Sequence, residues 1–463
     1  MNIEYLLEQG KDRNFLINSK ETLSYKSVLE FCRREPNQDL SGKLCLFFFE
    51  NSLEAIKSYI KLLYLNCTVL IINPDSKENY INQIICDYCP DFIGKKKSKS
   101  SSEEVFFSDK DFEICSYDYP NNKNISDKLQ ILLPTSGSTG NSKVVRISKS
   151  NLEFSSRKIS QYFKLKSCDV VTSSLPLYYS YGLSLLNIAI TSGCSFHICE
   201  FQFLSKSYWN QLNENHVTHF AGVPTMFKNI IEARALKLFP STLNYITVAG
   251  GKLSEPYTIN LIDYCEEKGI GFYTMYGATE ASPRMSYVPP EMARKKLGSA
   301  GMPINDCHFE IEKINQGNEG EVIFYGKNVA LGYSENRNDL TSKDSFKGRL
   351  NTGDLGYLDS DGYLYVTGRL KRIAKARGIR VNLDDIENLL SLNNINSMAV
   401  DYKDFIFIAI ESDNEEEVEH IIENQSSIEL GIVKIIQIEK FPLNDNMKKN
   451  YFALLEMIDH ENR

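Results

Sequence analysis

The chain has 463 residues, of which 42% are apolar, and it carries a formal net charge of −8 at pH 7. This length predicts two or three domains, and the acidic balance argues against a general nucleic-acid binder, whose surface must neutralise phosphates. The apolar runs are too short to span a bilayer, and the start lacks the continuous apolar stretch of a signal peptide. Eleven cysteines follow no disulfide framework, so we expect a cytoplasmic protein with reduced thiols.

The first part of the chain alternates short apolar runs with helical patterns. "KLCLFFFE" and "CTVLIIN" are predicted to be buried strands on either side of the helix "LEAIKSYIKLLYL". This alternation predicts α/β layers with largely parallel sheets. Cys86 and Cys89 have C-x-x-C spacing, but no second pair follows them, so packing thiols are favoured over a zinc or redox site. The polar, lysine- and serine-rich stretch 94–104 is predicted to be an exposed loop.

A turn rich in Gly, Ser and Thr comes next, "LLPTSGSTGNSK", from Leu132 to Lys143. Backbone N–H groups and hydroxyls on such a turn can wrap phosphate oxygens, and a lysine adds positive charge. It is not a Walker A loop, because Lys143 is followed by Val144 instead of Ser or Thr. From these residues alone, a different phosphate loop and a flexible surface turn both stay open.

The α/β pattern resumes after this turn and later changes. The strand "VVRI" precedes a helix, "SNLEFSSRKISQYF", for which we predict Ser150 as the N-cap. "HFAGVP", "YITVAGG" and "GIGFYTMYG" are further predicted strands that end in small residues. From about Glu310, alternating apolar and polar residues around an Asp-Gly turn predict the hairpins of a β-rich layer. We place a boundary at Arg369–Lys371, which gives domains 1–370 and 371–463.

Four motifs follow one another in a characteristic order: the turn at 132–143, "MYGATEAS" (Met275–Ser282), "NTGDLGYLDSDGYLYVTGR" (Asn351–Arg369) and "KARGIRVNLDDIE" (Lys375–Glu387). This set resembles the adenylate-forming superfamily of AMP-dependent acyl- and aryl-CoA synthetases, peptide-synthetase adenylation domains and luciferases. The resemblance implies an α/β fold: a large N-terminal domain of layered, mostly parallel sheets with a β-rich subdomain, and a small mobile α+β C-terminal lid.

The resemblance also implies an activity, that of a free-standing acyl ligase. Such an enzyme uses ATP and Mg²⁺ to adenylate a small or medium carboxylic acid and releases pyrophosphate. It then transfers the acyl group to a phosphopantetheine thiol, on CoA or on a separate acyl or peptidyl carrier protein. Two alternatives stay open: an enzyme that stops at acyl-AMP or uses a non-thiol acceptor, and a non-catalytic nucleotide- or acyl-binding paralogue. Neither nucleic acid nor a membrane span is expected.

The resemblance assigns nucleotide-binding roles residue by residue. Tyr276 would stack on adenine, Asp354 would accept the ribose hydroxyls, and Arg369 would contact ribose or phosphate. Thr279 would hold the α-phosphate and Glu280 the magnesium, since one carboxylate plus phosphates is a typical Mg²⁺ site. The phosphate loop would comprise Thr135, Ser136, Gly137, Ser138, Thr139, Gly140 and Lys143.

The C-terminal domain would supply the mobile groups. Lys371 stands at the position of the family's hinge, and Lys375 and Gly378 belong to the loop used in the thiol step. The terminal motif, "FPLNDNMKKNYFALLE", gives Lys448 as the adenylation lysine, with Lys449 as the alternative. Two residues near this lysine, Met447 and Asn450, depart from the family pattern. The choice between Lys448 and Lys449 therefore stays open.

The acyl pocket of the family maps onto four segments, "LPLYYSYGL", "AGVPTMF", "VAGGKLSE" and "YGATE". The residues assigned to it are Tyr179, Met226, Gly250, Gly251 and Gly277. Tyr179 stands where many acyl and aryl ligases have histidine, and no aspartate is placed nearby to pair an α-ammonium group. Bulky side chains would close the pocket to long chains, so we expect a small or medium acid without an α-amino group.

Overall fold

The computed structural model describes residues 2–97, 104–117, 119, 124–135, 143–313, 317–376, 379–411, 413–426, 428–443 and 449–461. Among the predicted site residues, 136–140, 378 and 448 lie outside this description. The described α-helices are α1 (Ile3–Gln9), α2 (Tyr25–Arg33), α3 (Leu53–Tyr64), α4 (Glu78–Tyr88), α5 (Lys149–Phe163), α6 (Ser180–Ser192), α7 (Lys206–Glu214), α8 (Pro224–Glu232), α9 (Glu255–Lys268), α10 (Leu383–Leu392), α11 (Glu415–Gln425) and α12 (Tyr451–Glu461). None of these described helices is long and apolar enough to cross a membrane.

The strands of the first 300 residues build two large sheets. They are β1 (Asn14–Ile17), β2 (Thr22–Ser24), β3 (Leu44–Phe48), β4 (Thr68–Ile72), β5 (Phe92–Lys96), β6 (Val105–Asp109), β7 (Phe112–Ser116), β8 (Leu129–Pro134), β9 (Val144–Ser148), β10 (Val170–Thr172), β11 (Ser195–His197), β12 (His219–Gly222), β13 (Tyr245–Val248), β14 (Gly271–Tyr276) and β15 (Ser286–Val288). The later strands are β16 (Met302–Pro303), β17 (His308–Lys313), β18 (Gly320–Tyr325), β19 (Tyr333–Ser334), β20 (Arg349–Leu358), β21 (Leu364–Arg369), β22 (Ile373–Ala376), β23 (Ile379–Asn382), β24 (Ser397–Tyr402), β25 (Phe405–Ile410) and β26 (Val433–Gln437).

Both large sheets are parallel in the centre and antiparallel at the edges. The nine-stranded sheet has the order β16-β15-β14-β13-β12-β10-β11-β1-β2, in which the six strands from β14 to β1 are parallel. The eight-stranded sheet has the order β19-β9-β8-β4-β3-β5-β7-β6, with β8, β4, β3 and β5 parallel. The largest hydrophobic core combines residues of both sheets with helices α2, α3, α5 and α6. The predicted layered, mostly parallel architecture is therefore confirmed, and the sheets end in antiparallel edge strands.

The start of α5 differs from the prediction. Ser148, not Ser150, is the N-cap: its hydroxyl accepts a hydrogen bond from the Asn151 N–H (3.1 Å), and the Asn151 side chain accepts one from the Ser148 N–H (3.0 Å). This reciprocal capping box fixes the helix start at Lys149, directly after β9. Ser150 lies exposed in the first turn.

The predicted C-x-x-C pair lies at the end of α4. Cys86 is exposed, and Cys89 caps the helix in a left-handed conformation, with a φ of 40°. Neither cysteine forms a disulfide, and the described part of the chain holds no cluster of three His, Cys, Asp or Glu residues that suits a metal ion.

A four-stranded antiparallel sheet, β17-β18-β20-β21, forms the predicted β-rich layer. Its β20–β21 hairpin turns at Asp361–Gly362 and places Asp354 directly opposite Arg369. The residues after this hairpin build separate small sheets, the β22–β23 hairpin and the three-stranded β24-β25-β26. The latter has one hydrophobic core against α10 and α11 and another against α12. The exact domain boundary stays a prediction; the 3₁₀ turn Leu370–Arg372 lies at the proposed position.

Candidate active site

A buried carboxylate joins the β14 end to the β20–β21 hairpin. Asp354 is only 7% exposed, and its Oδ1 accepts a hydrogen bond from Arg369 Nε at 3.0 Å. The Tyr276 hydroxyl donates to its other oxygen, Oδ2. Burial and the nearby Asp354 charge raise the pKa of Tyr276 well above its usual value, so the tyrosine stays a donor. Each carboxylate oxygen keeps a second lone pair, which leaves room for the two hydroxyls of a ribose.

The Thr279–Glu280 pair lies at the carboxyl end of the parallel strands, where α/β sheets place their ligands. Both residues belong to a 3₁₀ turn, Thr279–Ala281, that follows β14. The Thr279 hydroxyl donates to the Ser180 hydroxyl (3.1 Å) at the start of α6. The Tyr333 hydroxyl donates to Glu280 Oε1 (2.8 Å), and within the described ranges Glu280 forms no ion pair. The carboxylate is therefore held in place and still has charge to offer to a cation.

The residues around Glu280 fit a magnesium ion. A single carboxylate and the hydroxyls of Thr279 and Ser180 are hard oxygen donors, which Mg²⁺ prefers when phosphates supply the remaining ligands. Burial, then the Glu280 charge, raises the pKa of Tyr333, so its hydroxyl remains a hydrogen-bond donor to Glu280. This arrangement orients the free carboxylate oxygen without neutralising it.

The base of the glycine-rich turn lies beside this group. Strands β8 and β9 pair antiparallel, and the Thr135 N–H and hydroxyl both donate to the carbonyl of Lys143, at 2.8 and 3.1 Å. The exposed Lys143 ammonium lies 5.0 Å from the ring centroid of Tyr333. Tyr333 thus contacts both the loop lysine and Glu280. The Thr135 hydroxyl therefore donates its hydrogen bond within the β8–β9 hairpin.

The predicted acyl-pocket residues all lie next to the same sheet edge. Tyr179 immediately precedes α6, and Met226 in α8 packs against two hydrophobic cores. Gly250 has a φ of +90°, and a Cβ on Gly251 would lie 3.4 Å from Pro224. Gly277 admits no side chain, because a Cβ there would lie 1.8 Å from the carbonyl oxygen of Pro283.

The C-terminal candidates differ in their surroundings. Lys371 is exposed in the Leu370–Arg372 turn, and Lys375 lies in β22 opposite Arg380. Lys449 donates to Glu387 (2.7 Å) and to the Ser397 carbonyl (2.5 Å). Because this ammonium is bonded inside the small domain, Lys448 stays our candidate for the adenylation lysine.

Sequence reasoning missed two residues of the site, Ser180 and Tyr333. Ser180 lies inside a predicted pocket segment, but its contact with Thr279 joins residues 99 positions apart. Tyr333 reaches Glu280 because β19 pairs with the edge of β9, a pairing that no local pattern indicates. Only an alignment or a structure reveals such contacts.

A Thr-Glu turn and a Tyr-Asp-Arg group at the carboxyl ends of a parallel sheet, followed by a small α+β domain, are the arrangement of an adenylate-forming ligase. The model of the AMP-binding enzyme family matches residues 6–334, and the chain belongs to this family. Among curated proteins, the 2-succinylbenzoate–CoA ligase of Bacillus cereus (strain Q1) is 30% identical over 363 residues, covering 75% of this chain and 73% of that protein. The enzyme of the same name from Geobacillus sp. (strain WCH70) is 28% identical over 384 residues, covering 79% and 75%.

Solved structures share the fold over nearly the whole chain. The O-succinylbenzoate coenzyme A synthetase of Bacillus subtilis in complex with AMP has a TM-score of 0.78 and 21% identity, and the match covers 97% of each chain. The ATP-bound MatB of Rhodopseudomonas palustris has a TM-score of 0.77 and 19% identity, and the match covers both chains fully. The predicted fold, with a large N-terminal and a small C-terminal domain, is confirmed.

Proposed function

We propose that this protein activates a carboxylic acid with ATP, releases pyrophosphate, and transfers the acyl group from AMP to the thiol of coenzyme A. The observation that carries this proposal is the convergence of the Thr279–Glu280 turn and the Tyr276–Asp354–Arg369 group at one sheet edge. The first group suits phosphates and a hard cation, and the second suits a ribose. The 2-succinylbenzoate–CoA ligases named above support the reaction type.

The first half-reaction needs charge neutralisation more than proton transfer. A carboxylic acid with a pKa of about 4 is already ionised at neutral pH, so no general base is required. Thr279 and Lys143 hold phosphate oxygens, and Asp354 fixes the ribose so that the α-phosphate faces the attacking carboxylate. Magnesium, held by Glu280, supplies charge neutralisation on the phosphates when it is bound.

The second half-reaction uses the small domain. Lys448 belongs to the adenylation step, whereas Lys375 and Gly378 belong to the thiol step. A hinge at Lys371 exchanges the two groups. We propose coenzyme A as the acceptor and the cytoplasm as the location; a carrier protein that bears phosphopantetheine is the alternative thiol.

The acid is small or medium in size and has no α-amino group. Tyr179 and Met226 fill the region between the strand ends and α6. Gly277 lets the backbone of Pro283 pack directly against the segment that leads to Thr279, since a Cβ there would lie 1.8 Å from the Pro283 carbonyl oxygen. No carboxylate of the assigned pocket is placed to bind an α-ammonium group.

Acid-dependent ATP–pyrophosphate exchange tests this function. The panel contains 2-succinylbenzoate, short aliphatic and aromatic acids, amino acids and long-chain fatty acids, followed by thioester assays with CoA and with a carrier protein. Strongest exchange with an amino acid or a long fatty acid contradicts the proposed substrate class. Hydroxylamine trapping without any thioester supports an enzyme that stops at acyl-AMP, and no exchange at all supports a binding protein.

A matched pair of variants separates the site from general effects. Glu280→Gln removes the charge proposed for magnesium and should lower the exchange rate about 10²–10³-fold, the effect of losing one preorganised electrostatic group. Glu310→Gln changes an exposed strand residue and should leave the rate unchanged. Equal rates for both variants would contradict the role of Glu280.

A further inference from the structure

Arg146 is a buried arginine whose five side-chain N–H groups are all hydrogen-bonded. It lies in β9, three positions after Lys143, and is only 2% exposed. Its guanidinium donates five hydrogen bonds, which is the full donor capacity of this group. The acceptors are all backbone carbonyls, at 2.8–3.2 Å, and belong to Leu331, Tyr333, Asp339, Ser342 and Lys343. A lysine, with three donors, cannot replace this set of contacts.

The five carbonyls belong to one segment of the chain, 331–343. The segment contains the two-residue strand β19, which pairs with β9, and the 3₁₀ turn Arg337–Thr341. The backbone of Arg146 adds two hydrogen bonds: its carbonyl accepts from the Leu331 N–H at 2.8 Å, and its N–H donates to the Gly332 carbonyl at 2.9 Å. Arg146 therefore holds this irregular segment together by its side chain and by its main chain.

The beginning of this segment holds Glu280 at two points. The Ala330 N–H donates to the main-chain carbonyl of Glu280 at 2.8 Å, and the Tyr333 hydroxyl donates to its carboxylate at 2.8 Å. Between and beside these two contacts, the carbonyls of Leu331 and Tyr333 accept from Arg146, at 2.9 and 3.0 Å. The position and the orientation of the Glu280 carboxylate thus depend on how firmly residues 330–333 are fixed.

We propose that Arg146 is a positioning residue for the metal site: it fixes residues 330–333, and these orient Glu280 for the magnesium ion that accompanies ATP. Groups that orient a metal ligand commonly change metal affinity about 10- to 100-fold when they are altered. Coupling is reciprocal, so a segment that favours metal binding must itself be stabilised when the metal binds. This inference rests on the proposed function.

Titration calorimetry tests the proposal without catalysis, because no acid is added. ATP is titrated into the full chain once with excess Mg²⁺ and once with EDTA, and the two dissociation constants give the gain in affinity due to magnesium. The wild type should gain at least about tenfold, and both Tyr333→Phe and Arg146→Lys should lose most of this gain. The affinity for ATP in EDTA should stay the same, because neither change touches the proposed ribose site.

A double variant tests whether Arg146 acts through Tyr333. If it does, Arg146→Lys combined with Tyr333→Phe should lose clearly less than the sum of the two single losses, whereas independent effects would add. Lys57→Met is the matched control: it removes another buried cation, which pairs with Asp109 outside the site. This control should lower the melting temperature and retain the magnesium gain.

Hydrogen exchange of the wild type gives a test that needs no variant. The amides of Ala330 and Leu331 donate to the carbonyls of Glu280 and Arg146, so they report directly on these contacts. Peptides that cover 330–333 should exchange more slowly with ATP and Mg²⁺ than with ATP and EDTA.

The outcomes separate this inference from the proposed function. Equal exchange of residues 330–333 in the two conditions overturns the inference even if every Arg146 variant unfolds. A folded Arg146→Lys protein that keeps the full magnesium gain overturns the role of the arginine. A wild-type chain that binds no ATP in either condition refutes the proposed function itself.

Discussion

Replacing Asp354 by asparagine removes the charge of the proposed ribose site and keeps its shape. The ion pair with Arg369 contributes at most about 1 kcal/mol, because the arginine side chain is 68% exposed and solvent screens it. The asparagine oxygen still accepts from Tyr276, so the unfolding free energy should fall by only about 1–2 kcal/mol. Two ribose hydroxyls lose a charged acceptor, at about 1–1.5 kcal/mol each, which raises the KM for ATP about 30- to 150-fold.

The assay compares ATP with its 2′-deoxy, 3′-deoxy and 2′,3′-dideoxy analogues in pyrophosphate exchange. The wild type should discriminate against each deoxy analogue, and Asp354→Asn should lose most of that discrimination. Tyr276→Phe removes the tyrosine donor but leaves the carboxylate, so its preference for the ribose hydroxyls should persist. If Asp354→Asn raises the KM equally for ATP and for dideoxy-ATP, the carboxylate does not bind the ribose and the reasoning fails.

Three further predictions concern the small domain and the core. Lys448→Ala should lower exchange about 10²–10³-fold, whereas Lys449→Ala should mainly lower the urea midpoint, because that ammonium is bonded to Glu387; the reverse result moves the role to Lys449. Lys371→Pro should reduce thioester formation at least about tenfold while sparing exchange, and equal losses would contradict the hinge. Burial lowers the pKa of His219 to about 3, against about 6.5 in the unfolded chain, so stability should fall as pH drops below 6.5, by up to about 1.4 kcal/mol per pH unit. Urea unfolding at pH 7, 6 and 5 should show a flatter profile for His219→Gln.

The parts of the fold that follow from local pattern were predictable. The apolar runs of β3 and β4 are buried strands, since a parallel sheet with both faces covered needs continuous apolar residues. The β20–β21 hairpin, and with it the pairing of Asp354 and Arg369, follows from an Asp-Gly turn between alternating residues. The order of the four sequence motifs indicated the adenylate-forming family, and the match to the AMP-binding enzyme family confirms it.

Contacts between distant segments were not predictable. The bond from Tyr333 to Glu280 depends on an edge pairing of β19 with β9, and the Ser148 cap depends on where a strand stops. The burial of Arg284, which is only 2% exposed, gave no local signal, because an arginine between proline and methionine is normally assigned to the surface. Burial of such a residue depends on tertiary packing, which no local hydrophobic pattern in a single sequence reveals.

Glu387 connects the beginning and the end of the small domain. It accepts from Arg372, the residue after the proposed hinge, and from Lys449 and Tyr451 in the C-terminal segment. One carboxylate therefore ties the segment after residue 371 to the start of α12, so a substitution of Glu387 should loosen both ends of this domain together.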